Sequence, residues 1–135
     1  MKKLTVYLVA FLVANIISSC DREEPLPPVT NPQQAILGKW EIIENTFGPV
    51  DNPPGYDEYL PDSIRISYSY TDMVFYHEKY WLSDSLLFRS IVFTSEGDTI
   101  DFQWPYRFKF INYNKLKLEF LYPSLNPISI YKRLK

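Results

Sequence analysis

The feature that most narrows what this 135-residue chain can fold into is a period-two alternation of side-chain character. In SIRISYSY (Ser63–Tyr70), Ile64, Ile66, Tyr68 and Tyr70 share one face, and Arg65, Ser67 and Ser69 share the other. KLKLEF sets Leu116, Leu118 and Phe120 against Lys115, Lys117 and Glu119, and YRFKFI sets Tyr106, Phe108 and Phe110 against Arg107 and Lys109. A last run, ISIYKRL, covers Ile128–Leu134, while Met73–Leu82 and Leu86–Phe93 alternate less cleanly. Successive side chains of a strand point to opposite faces, so this pattern predicts half-buried β-strands. Heavy use of Ile, Tyr and Phe agrees.

The breaks between runs are short: SYTD, SDS, SEGDT and NYNK. Their Ser, Gly, Asn and Asp residues suit tight turns. Short links force neighbouring strands to pair antiparallel. The expectation is all-β: an antiparallel meander of seven to nine strands, about eight, with one polar face. Such a meander closes into a small barrel or splits into a two-sheet sandwich. No apolar run with helical period follows the first twenty residues, so any helix is short.

One connection stands apart. FGPVDNPPGYDEYLP (Phe47–Pro61) is 15 residues with four prolines, two glycines and three aromatics. Its prolines predict a long loop rather than a central strand, and Phe47, Tyr56 and Tyr59 predict that it is ordered against the domain.

The alternating region opens with ILGKWEII (Ile36–Ile43), a glycine two residues before a tryptophan. It resembles the Gly-x-Trp signature on the first strand of lipocalins and of lipocalin-like domains in small bacterial lipoproteins. The resemblance covers roughly residues 35–135 and implies a small lipocalin-like barrel. Gly38 permits close backbone approach where the chain enters, and Trp40 closes the base with a large buried ring. In that family a basic residue of the final strand packs over the indole. The resemblance gives that role to Arg133 ahead of Lys132, a cation–π contact worth roughly 0.5–2 kcal/mol. The chain departs from secreted lipocalins in being shorter, and it lacks their disulfide and their C-terminal helix.

The start of the chain reads as a targeting segment. Lys2 and Lys3 precede a mostly apolar run, Leu4–Ser19, that is shorter than the roughly 20 residues of a membrane-spanning helix. Ile17-Ser18-Ser19-Cys20 resembles a bacterial lipobox, which implies cleavage after Ser19 and lipid attachment to Cys20, the only cysteine. Two or more acyl chains anchor firmly where one does not. The predicted organisation is a signal peptide over 1–19, the lipidated cysteine and a Pro-rich linker over 20–34, and the barrel over 35–135. The linker, with four prolines in Glu23–Gln34, is a semi-rigid spacer of about 3.1 Å per residue. Asp21–Glu24 resembles the acidic tag of surface-exported lipoproteins. The expected location is therefore the outer membrane, lipid-anchored, with the cell surface ahead of the periplasmic face.

Removing Lys2 and Lys3 leaves 12 basic residues against 16 acidic ones, a net charge of −4. That balance argues against nucleic acid as a partner. Catalytic signals are sparse. His77 is the sole histidine, no metal-ligand spacing is present, and Asp57 and Glu58 lack the pattern of a calcium loop. The glycines form no phosphate-binding array. No enzymatic activity and no cofactor are expected. What remains is aromatic content, 17% of the chain. Most of it is expected to fill the barrel. A sharper expectation gathers Tyr56, Tyr59, Trp81 and Trp104 at a mouth that takes a ligand. The leading expectation is a membrane-anchored lipoprotein whose barrel binds a small apolar or amphipathic molecule. The alternatives are a docking module of an outer-membrane assembly and a carbohydrate-binding sandwich.

Overall fold

The computed structural model describes residues 28–95, 97–122 and 125–135. Asn31 caps a single helical turn, α1 (Pro32–Ala35), accepting from the Gln34 backbone N–H at 3.3 Å, and Pro32 stands where no amide is needed. Among the described residues nine strands follow: β1 (Gly38–Asn45), β2 (Gly48–Pro49), β3 (Gly55–Tyr59), β4 (Ile64–Ser69), β5 (Phe75–Ser83), β6 (Leu86–Ser95), β7 (Asp98–Asn112), β8 (Lys115–Phe120) and β9 (Ile128–Arg133). All pairings are antiparallel, in the order β2-β1-β3-β4-β5-β6-β7-β8-β9. β9 also returns to β1, with Trp40 opposite Arg133 and Ile42 opposite Tyr131. The sheet is therefore a closed eight-stranded barrel, and β2 is a two-residue extra strand on β1. Closure removes the two-sheet sandwich.

Two expectations need correction. The segment Phe47–Pro61 is not one long loop: β3 lies within it as a central strand, paired with β1 on one side and β4 on the other. The prolines flank Gly55–Tyr59 without entering it, so the ladder loses no donor. Gly55 is packed so closely on β4 that a Cβ there would sit 1.8 Å from the Tyr68 carbonyl oxygen. Tyr59 is buried, but Phe47, at the β1–β2 hairpin, is 97% exposed. β7 is also longer than the run starting at Tyr106, and it carries Pro105 in its interior. The Pro105 carbonyl accepts from Leu121 N–H at 3.0 Å, so the missing amide falls on the β8 side, just past the last ladder pair, Tyr106 with Phe120. Proline sits where the ladder is already ending.

Following paired positions around the barrel separates inside from outside. Trp40, Asp57, Tyr59, Arg65, Glu78, Leu87, Arg89, Phe108, Leu118 and Tyr131 point inward. The base is apolar, a cluster of Ile36, Trp40, Tyr59, Tyr80, Leu87, Phe108, Leu116 and Leu118. In β4 the sense of the alternation is the reverse of an apolar interior. Arg65 and Ser67 face in, while Ile64, Ile66 and Tyr68 face out. The interior thus has two layers, apolar at the base and charged above it.

Candidate functional site

The base is fixed by Arg133. Its guanidinium carbon lies 4.3 Å from the Trp40 ring centre and 4.7 Å from that of Tyr113. Its nitrogens donate to the carbonyls of Leu37 (2.5 Å), Ala35 (2.6 Å) and Tyr113 (3.1 Å). The Trp40 indole N–H donates to the Ile36 carbonyl at 2.7 Å. Gly38 has φ +106°, and a Cβ there would lie 3.1 Å from Arg133 Nη1, so both conformation and space favour glycine. The structure thus brings Gly38, Trp40 and Arg133 together. Lys132 points outward instead and pairs with Glu41 at 3.1 Å.

Above the base a charged layer crosses the interior. Arg65 bridges Asp57, at 2.6 Å, and Glu78. Arg89 donates through Nη2 to Asp57 at 3.2 Å and to the Tyr59 hydroxyl, and it stacks over the Tyr106 ring at 4.6 Å. The Arg65 and Arg89 side chains are only 9% and 8% exposed. Burial works against the Arg89 charge, but Tyr59 and Asp57 outweigh it and hold the guanidinium well above its ordinary pKa. Burial raises the hydroxyls of Tyr59 and Tyr131 above their ordinary range. At neutral pH those tyrosines are neutral hydroxyls.

This layer floors a cavity of about 280 Å³. Ser67, Ser69, Tyr76 and Tyr131 line it with hydroxyls, and Trp40 and Ile42 with apolar surface. Arg65 and Arg89 also line it, and each keeps a buried Nε–H without an acceptor, as does the inward-facing Trp104 at Nε1.

The four aromatics expected at a mouth do not gather. Tyr56 borders the cavity, but its ring packs on Tyr68 (5.2 Å) and Tyr70 (6.1 Å) with Lys39 over it. Tyr59 lies in the base, edge-on to Tyr80. Trp81 stacks on Phe88 on the outer face, and Trp104 packs inside on Phe120. The reason is parity: Tyr56 and Tyr59 are an odd number of residues apart on one strand and must face opposite ways. No family model matches the chain. No curated protein matches it either.

His77 is exposed on the outer face opposite Ile66. Asp57 and Glu58 point to opposite sides of β3, and among the described residues no cluster of three metal-ligating side chains occurs. Leu4–Ser19 and Cys20 lie outside the described residues, among which no helix is long and apolar enough to cross a membrane. The residues of the charged layer were missed from sequence, although a signal existed. Arg89 is a lone charge in LLFRSIVF, and a charge in an apolar strand must find a buried partner.

Proposed function

We propose that this domain is a lipid-anchored, non-enzymatic binding barrel that holds one small amphipathic molecule in the cavity above its charged layer. The observation that carries this reading is a cavity of about 280 Å³ whose wall combines two buried arginines and several Ser and Tyr hydroxyls with the apolar surface of Trp40 and Ile42. Ligand sites are concave, largely preformed and furnished with a few convergent polar groups. A volume near 280 Å³ is at the small end of that class, which restricts the occupant to a short molecule. The anchor rests on the lipobox at Ile17–Cys20 and the Pro-rich spacer. An outer-membrane address rests on the acidic residues Asp21, Glu23 and Glu24 that follow. Native mass spectrometry tests the carrier reading: a reproducible small-molecule adduct supports it, and a clean protein mass counts against it. Detergent-phase partitioning of the wild type against Cys20→Ser tests the anchor, since only the lipidated form should enter the detergent.

A second reading, docking on a membrane-protein partner, is favoured by the seam between β5 and β6. Their ladder ends at Lys79 with Ser90, so residues 75–78 of β5 and 91–95 of β6 have no partner across the seam. Phe75 and Val92 stand exposed beside it. Open edges recruit extended segments of other chains. A photo-crosslinker at Val92 that captures a discrete protein in intact cells would favour docking, and an uncrosslinked chain would leave the carrier reading alone.

A further inference from the structure

The charged layer says more about the occupant than the cavity's size does. It contains two cations, Arg65 and Arg89, and two anions, Asp57 and Glu78, joined by ion pairs. Its formal charge is zero. Two further ionisable groups pointing inward near it, Tyr59 and Tyr131, are held neutral by burial. Glu41 and Glu58 lie on the outer face of their strands, and Lys132 is outside with Glu41. A carboxylate or phosphate entering the cavity would bring a third negative charge against two positive ones already engaged. It would give up its hydration with no net positive charge to repay the loss. The hydrogen-bonding need is different. The Ser and Tyr hydroxyls that line the cavity can donate to a neutral oxygen or accept from a neutral N–H or O–H.

Resting on the binding-barrel reading above, the geometry points to an uncharged, oxygen-bearing ligand, a short amide, ester or polyol-type head, and to exclusion of anions of the same shape. Its carbonyl or hydroxyl oxygen accepts from the Ser and Tyr hydroxyls of the wall, and its apolar part lies along Trp40 and Ile42. Two features of the site act together. The hydroxyls supply hydrogen bonds, and the carboxylates of Asp57 and Glu78 cancel the arginine field that would otherwise draw anions.

Hexanamide and hexanoate are a matched probe pair, similar in shape and differing in charge. Calorimetric titration of both into the full chain held in lipid nanodiscs reads the preference directly. A parallel titration of Ser67→Phe, which fills the cavity from the β4 side, separates cavity binding from partitioning into lipid. The expected result is at least tenfold tighter binding of the amide, lost in Ser67→Phe. Equal or tighter binding of hexanoate, lost in the same variant, overturns the inference and leaves the barrel a carrier. If neither probe gives heat that the wild type has and Ser67→Phe lacks, the inference falls. The carrier reading then rests on native masses alone. Should Ser67→Phe fail to fold, Ser69→Leu fills the same wall, and titration of both probes into empty nanodiscs subtracts the heat of lipid partitioning.

Discussion

The Arg133 guanidinium stacks 4.3 Å from the centre of the Trp40 ring, across the register pair that joins the last strand to the first. The same side chain ties three carbonyls, two of them from the α1–β1 junction, so closure of the barrel and placement of α1 depend on one group. Arg133→Ala removes the stacking and leaves those carbonyls short of donors. The expected cost is about 2–4 kcal/mol, read as a lower urea midpoint at constant slope. Arg133→Lys keeps the charge but supplies a point donor in place of a planar fork, so it should recover less than half of the loss. Full recovery by lysine would show that charge alone closes the barrel.

Gly38 and Gly48 both have positive φ, +106° and +124°, but only Gly38 faces Arg133. Alanine at either position adds backbone strain of roughly 1–2 kcal/mol. At Gly38 it also pushes on Nη1 at 3.1 Å, whereas at Gly48 it meets nothing within 4 Å. Gly38→Ala should therefore unfold at lower denaturant than Gly48→Ala, and the gap should shrink when both are made on an Arg133→Ala background. Equal costs on both backgrounds would mean that the close approach carries no energy.

How much of this was legible beforehand follows from what period two can encode. Alternation in Ile64–Ser69 fixed a strand with two unlike faces, and the short polar breaks fixed antiparallel neighbours. Alternation does not say which face is inside, and in β4 it is the Arg65–Ser67 face. The Gly38–Trp40 spacing was readable because both devices are local. The charged layer was not, because Asp57, Arg65, Glu78 and Arg89 come from four strands and meet only through the barrel's closure. β3 was hidden by its prolines, which mark the strand's boundaries rather than its interior.

Asp57 is the shared partner of both interior arginines. Asp57→Asn leaves two buried guanidinia facing one carboxylate, Glu78. Breaking a buried pair in this way costs on the order of 3–5 kcal/mol. Arg89→Met on that background removes the surplus cation, and the double variant should be more stable than Asp57→Asn alone. An additive cycle, with the second change adding its own full cost, would mean that Asp57 and Arg89 do not interact.

Alkaline pH should open the barrel through its tyrosines. Burial raises the hydroxyls of Tyr59, Tyr80 and Tyr131 above the ordinary value of 10, and Tyr70, desolvated and donating to Glu41 at 2.8 Å, is pushed up to about 12. Each binds its proton more tightly in the folded state than in the unfolded one. Their contribution is complete below pH 10 and is lost as pH rises through the folded values. Stability should therefore be insensitive to these groups at neutral pH and fall steeply above 10, beginning before Tyr70 itself ionises at about 12. Phenolate absorbance and far-ultraviolet circular dichroism followed together read this directly. The phenolates of Tyr59, Tyr80 and Tyr131 should appear in step with the loss of the sheet signal. Tyr70→Phe should lose part of the alkaline sensitivity and keep the Glu41–Lys132 pair. Ionisation of Tyr59, Tyr80 and Tyr131 with no loss of strand signal would mean that these interior hydroxyls are reached by solvent in the folded barrel.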